Sequence, residues 1–118
     1  MKSHKELIVW QKSMELVEEI YALTKKFPKS EIFGLSSQMQ RAAIAIPSNI
    51  AEGAKRNHKA EYIQFLSIAN GSAAELETQL ILAKKLFSKT GIDFEKALGL
   101  VEEVLKMLYS MISSLRNK

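Results

Sequence analysis

Apolar residues recur every three or four positions along most of this chain, the period of helices buried on one side. The last stretch is the cleanest: Phe94, Ala97, Val101, Val104, Leu108, Met111 and Leu115 alternate steps of three and four without a fault. Such a seam packs against neighbouring helices at shallow crossing angles. Near the start, Trp10, Met14, Val17 and Tyr21 form one line and Leu16, Ile20, Leu23 and Phe27 the next, with Pro28 as a stop. The pattern predicts helices over about Ile8–Lys26, Phe33–Arg56 and Lys59–Lys89, and a fourth beginning after Asp93. Asn57-His58 makes a tight connection. Thr90-Gly91 ends the third helix, with Gly91 suited to a left-handed cap. Asp93 caps the fourth, supported by Lys96 rather than the Glu of a full capping box. No strand pattern, linker or repeat competes. Short connections place sequential helices antiparallel, so the expected fold is all-α: one domain over 1–118, an antiparallel up-down-up-down four-helix bundle.

The segment QMQRAAIAIPSNIAEGAKR holds a second pattern beside its core stripe. Gln38, Arg41, Ala45, Asn49, Glu52 and Arg56 form a row that mixes amide, cation, small residue and carboxylate. A solvated helix face is usually a looser mixture of Lys and Glu, so the row suits a specified contact. The third helix carries its core on Tyr62, Phe65, Ala69, Ala73/Leu76, Leu80, Ala83 and Phe87, and a flank including Glu61, Gln64, Gly71 and Glu75. Pairing outward from the Asn57-His58 turn sets Glu52 opposite Gln64, Asn49 opposite Ser67, Ala45 opposite Gly71 and Arg41 opposite Glu75. The expectation is that Arg41, Asn49, Glu52, Gly71 and Glu75 lock helix register or seat a neighbouring subunit, with Arg41–Glu75 as an ion pair. Pro47 lacks an amide and crowds the preceding turn, which predicts a bend near Ala43–Pro47 at about 3 kcal/mol.

Composition narrows the class. The 118 residues are 47% hydrophobic with 5 Gly, 2 Pro and no Cys, which excludes a disordered chain, a disulfide framework and thiolate chemistry. The apolar run in MKSHKELIVWQK is too short for a signal peptide or a membrane span. A soluble cytoplasmic protein without a membrane partner is expected. The first helix is apolar over more than half its circumference, and Ile63, Ile81, Leu82 and Leu86 lie outside the core line of the third. That much apolar surface on a small domain points to a homo-oligomer.

Chemistry has little to stand on. His4 and His58 have no second His or Cys at ligand spacing, so no metal and no cofactor is expected. Glu18-Glu19 and Glu102-Glu103 splay across their helices, and no Glu-x-x-His, phosphate loop or nucleophile elbow occurs. A non-enzyme is expected; an enzyme would need a pocket around Arg41, Glu52 and Glu75. The net charge of +4 permits a polyanion partner without demanding one. Lys25, Lys26 and Lys29 close the first helix and Lys84, Lys85 and Lys89 the third, at one end of an antiparallel bundle. Lys55, Arg56, His58 and Lys59 gather at the other, near Lys2 and Lys5. Two readings stay open: cations answering helix dipoles, or a phosphate-contacting surface. No aromatic-basic interleaving suggests base stacking, so binding would be directed at shape or backbone.

QRAAIAIPSNIAEGAKR and EYIQFLSIANGSAAELETQLILAKKL, with ELIVWQKSMELVEEIYALTKKFPKSEIFGLSSQ before them, resemble the four-helix proteins encoded in intervening sequences of bacterial 23S ribosomal RNA genes. The resemblance covers nearly the whole chain. It implies a bundle assembled as a homopentameric ring with a central channel. The same fold resembles the accessory variability protein of diversity-generating retroelements, which binds nucleic acid and a reverse transcriptase through a basic surface. Matching motif residues are Arg41, Pro47, Asn49, Glu52, Gly53, Arg56, Glu61, Phe65, Gly71, Ser72, Glu75 and Glu77. Gln40 and Gln64 stand where arginine is common, which thins the cationic case along the flank; Ala54-Lys55 replaces an aromatic-glycine or similar pair, and Lys55 partly restores charge at the turn. The expectation is an oligomeric, non-enzymatic bundle binding RNA or DNA backbone through Lys55, Arg56, Lys59, Lys84, Lys85 and Lys89. The alternative is an adaptor or scaffold ring that docks a partner protein, such as a reverse transcriptase, without touching nucleic acid.

Overall fold

Four α-helices form where the apolar periodicity lies, in a computed structural model that describes residues 3–118. They are α1 (Ile8–Thr24), α2 (Leu35–Ala54), α3 (Lys59–Leu86) and α4 (Glu95–Arg116), with single 3₁₀ turns at His4–Glu6 and Lys29–Glu31. No strand occurs among the described residues, and none of their helices is long and apolar enough to cross a membrane. The ends fall a few residues inside the sequence-based bounds. Phe33 stays outside α2, whose cap is Gly34, and α3 stops at Leu86 with Phe87 as its cap. Gly91 has φ of 78°, but it lies beyond that cap and turns the chain toward α4. The cap of α4 is Phe94 rather than the expected Asp93, whose carboxylate accepts the Glu95 amide at 2.9 Å from one residue earlier.

Each helix packs on its two sequence neighbours, and α1 closes the ring against α4. Contacts across each pair run in opposite sequence directions. Gln40 near the start of α2 donates to Thr24 at the end of α1, at 3.0 Å. Lys84 late in α3 meets Glu95 at the start of α4, while Lys59 at the start of α3 reaches the Lys118 backbone oxygen, both at 2.8 Å. Glu19 meets Lys96 and Lys12 meets Glu103, so α1 and α4 are antiparallel too.

One apolar core receives all four helices, with Leu16, Ile20, Met39, Ile46, Ile50, Leu66, Leu76, Leu80, Val101, Val104 and Leu108 fully enclosed. Each large side chain removed from water contributes about 1.5–3 kcal/mol, which is what holds the helices together. The predicted α4 seam is buried through Leu108; beyond it Ile112 is buried and Met111 and Leu115 are half-buried. On α3 the core takes Leu66, whereas Tyr62 and Phe65, expected inside, are half-buried. On α1 the Leu16–Ile20–Leu23 line is inside, and the second line leaves Met14 and Tyr21 exposed.

The most extensive interface joins α2 and α3, and its register differs in detail from the residue-by-residue pairing. The two helices approach closely at Gly53: a Cβ there would lie 2.8 Å from Phe65 Cβ and 3.0 Å from Tyr62 Cδ1. A Cβ at Gly71 would meet nothing within 4 Å, so Gly71 is no small-residue contact for Ala45. Arg41, Ala45, Ser72 and Glu75 instead line an open groove of about 410 Å³. No ion pair joins Arg41 to Glu75 among the described residues, and both are exposed. Water competes for two such solvated charges, and the buried Gln79 amide donates to Glu75 instead, at 3.4 Å. Asn49 is not committed to Ser67 either: its amide donates to the Ala45 carbonyl at 2.7 Å, one turn back on its own helix. Glu52 pairs with Arg56 at 3.8 Å rather than with Gln64. Pro47 is buried within α2, which runs unbroken through it.

These contacts separate three substitutions by sign. Gly53→Ala should destabilise by about 1–3 kcal/mol, since the new methyl overlaps the base of Phe65 and cannot swing away. Gly71→Ala should stabilise by about 0.5–1 kcal/mol, because the site is helical and open. Arg41→Ala should stay within about 0.5 kcal/mol of the parent, whereas a register-locking buried ion pair would make it severe. Urea denaturation followed by circular dichroism reads all three.

Candidate nucleic-acid interface

The antiparallel order brings the C-termini of α1 and α3 to one end of the bundle, and with them the two lysine clusters. The local cause is helix termination. Cations at a helix C-terminus meet the partial negative charge of the unpaired carbonyls; Lys84-Lys85 lie in the last turn of α3, and Lys25, the cap of α1, and Lys26 follow its last turn. Beneath them an aromatic plug ties the two connections together. Phe27 packs on Phe87 with ring centroids 4.8 Å apart and on Phe94 at 6.1 Å, and all three rings are buried. The residues flanking Phe27 and Phe87 in sequence, Lys25, Lys26 and Lys29 on one side and Lys85 and Lys89 on the other, are exposed around this plug.

Charge is poorly balanced there. Carboxylates of this end are engaged: Asp93 accepts the Glu95 amide, Glu95 pairs with Lys84, and Glu31 Oε1 lies 3.5 Å from the Leu35 amide. Lys25, Lys26, Lys29, Lys85 and Lys89 have no carboxylate within ion-pair distance among the described residues. A groove of about 560 Å³ opens between α3 and α4 beside them, with Lys84, Lys85 and Ser88 on its polar side and Ile81 and Ile92 on its apolar side.

The opposite end is more self-satisfied. Arg56 pairs with Glu52 and lies over the Phe65 ring at 4.8 Å from its centroid, a cation–π contact that holds the guanidinium against the bundle. Lys59 is bonded to the Lys118 oxygen. Of Lys55, Arg56 and Lys59, Lys55 alone has neither an ion pair nor a side-chain hydrogen bond among the described residues, and Lys2 lies outside the described residues. The six candidate cations therefore fall into two separate groups, and Lys84, Lys85 and Lys89 belong with Lys25, Lys26 and Lys29. Those three lysines of the first connection were visible in the sequence as a cluster. What raises them above Arg56 and Lys59 is the lack of partners, which only the folded geometry reveals.

The other proposed site residues serve neither group. Arg41 and Glu75 line the central α2–α3 groove without Glu52, so the three residues an enzyme would need do not converge. No cluster of three or more His, Asp or Glu among the described residues has the makings of a metal site. Partial burial raises the Tyr62 phenol above its usual value. It borders an apolar groove of about 630 Å³ between the start of α1 and the end of α4, lined also by Ile8, Met107 and Met111.

Comparison with known proteins agrees with this architecture. A family model described as 23S rRNA-intervening sequence protein matches residues 5–110. A crystal structure of a protein with unknown function from the S23 ribosomal protein family of Bacteroides thetaiotaomicron VPI-5482 superposes with a TM-score of 0.80. It is 30% identical, and the match covers 89% of this chain and 98% of that one. No curated protein matches significantly. A match over most of the chain, on the helices and motifs described above, settles the family: this chain belongs to the 23S rRNA-intervening sequence proteins.

Proposed function

We propose that this protein is a non-enzymatic, oligomeric bundle that binds RNA or DNA backbone, chiefly through the lysine-rich end formed by the α1–α2 and α3–α4 connections. The observation that carries the reading is the set Lys25, Lys26, Lys29, Lys85 and Lys89, which no carboxylate neutralises among the described residues. Clustered cations that keep their charge gain from displacing counterions on a polyanion, and this needs no base contacts. Lys84 stands beside them on the groove, held by Glu95. Lys55, Arg56 and Lys59 form the secondary patch, weakened by their internal partners.

Assembly has a separate support. Ile8, Met14 and Ile44 are large and exposed on and beside α1, away from the lysine end. Met14 and Ile44 border one apolar groove of about 360 Å³ with Trp10 and Pro47. Surfaces of this kind suit contacts between copies, in agreement with the homopentamer that the family resemblance implies. They also favour the second reading, a ring that docks a protein partner such as a reverse transcriptase. A ring multiplies each lysine patch, so assembly and polyanion binding reinforce each other.

Two measurements test these statements. Binding to a structured RNA and to a generic duplex should weaken as salt rises, with a log–log slope of about −0.9 per phosphate neutralised on B-DNA. Replacing Lys25, Lys26, Lys29, Lys85 and Lys89 by Ala should flatten that slope more than replacing Lys55, Arg56 and Lys59. Absence of binding at low salt rejects the nucleic-acid reading and leaves the adaptor. Light scattering should give a mass several times 13.3 kDa at micromolar concentration, and a monomer mass rejects the ring.

A further inference from the structure

Phe33 is 98% exposed, by far the most exposed large apolar side chain among the described residues. It belongs to the same connection as Lys25, Lys26 and Lys29, and Ile32 beside it is 52% exposed. The backbone that presents it is fixed rather than loose. The Glu31 amide donates to Pro28, Ile32 to Lys29 and Gly34 to Glu31, at 2.9, 3.2 and 3.0 Å. Behind it Phe27 is anchored in the aromatic plug, and ahead of it α2 begins at Leu35. An aromatic ring is thus held in water by an ordered turn, at the end of the molecule that carries the unneutralised lysines.

We propose that Phe33 is a base-stacking residue, and that the nucleic acid taken by the lysine end is single-stranded: an unpaired strand or loop whose bases are free to leave their stack. The inference rests on the nucleic-acid reading above and narrows it to a substrate class. A cationic surface that follows the phosphates, with an aromatic face offered to an adjacent base, is the combination that favours single strands. In a duplex the bases are already stacked on one another, so a protruding ring gains nothing from them. The surroundings argue against a protein partner at this spot. Lysine is depleted from protein interfaces and charge from their cores, yet Phe33 shares its end of the bundle with Lys25, Lys26, Lys29, Lys85 and Lys89. Sequence periodicity hides the feature, since Phe33 reads there as the first apolar residue of the second helix.

The test is fluorescence anisotropy with three labelled probes: an unstructured single strand, the duplex of the same sequence, and an abasic single strand of equal length. Phe33→Ala should weaken binding to the single strand by roughly tenfold, within the range of about 5- to 150-fold for one stacked base, and leave duplex binding and the salt slope unchanged. Phe33→Trp should retain single-strand affinity. The parent protein should prefer the normal strand to the abasic one, and the Ala variant should not distinguish them. Equal loss on single strand and duplex, or no loss on either, overturns the proposal. So does dissociation of the assembly by Phe33→Ala in light scattering, which would make Phe33 a contact between copies. If the parent binds none of the probes at low salt, the nucleic-acid reading itself fails. If the parent binds but Phe33→Ala has no effect, only the stacking role fails.

Discussion

Everything in this bundle is arranged around how closely α2 and α3 approach. Both helices turn small residues toward the core, Ala42, Ala43 and Gly53 from one and Ala69, Ala73 and Ala83 from the other, all of them buried. Small side chains let two backbones come together, and Gly53 does so against the Cβ of Phe65. The volume those residues leave is filled from across the bundle by Leu16, Ile20, Val104 and Leu108 of α1 and α4. A tight pair on one side and bulky seams on the other is what close packing of four helices requires.

That asymmetry decides where polar groups go. The Arg41–Glu75 row cannot enter a core of alanines and leucines, so it lines an open groove on the α2–α3 face. At the turn, Phe65 gives its Cβ to Gly53 and its ring to Arg56, which draws the guanidinium onto the bundle. At the far end no carboxylate among the described residues does the same for Lys25, Lys26, Lys29, Lys85 and Lys89. The molecule therefore has one end where cations are held by Glu52, Phe65 and the Lys118 oxygen, and one where most of them face water. A polyanion meets less internal competition at the second end.

Helix existence, order and core lines were readable from spacing alone, because burial selects the same face at each turn regardless of partner. Leu16, Ile20, Leu80, Val101, Val104 and Leu108 were predicted inside and are inside. Individual contacts between helices were less readable. Counting outward from a turn assumes two straight helices in constant contact, whereas a Cβ would be crowded at Gly53 and would meet nothing at Gly71. Exposed ion pairs were the least readable of all, since a few tenths of a kcal/mol decide whether Glu52 meets Arg56 or Gln64.

The sequence by itself determined the all-α class, the four helices and the family, because each rests on a periodic or contiguous pattern that survives small errors in geometry. It also placed the lysine clusters at a common end, since short connections leave antiparallel order as the simplest solution. Only the tertiary structure decided which cations lack a carboxylate partner among the described residues and which side chain stands clear of the fold. Pairing of Lys59 and Lys84, and exposure of Phe33, depend on distances between residues on different helices or on the exact residue where a helix begins. Periodicity has no access to either quantity.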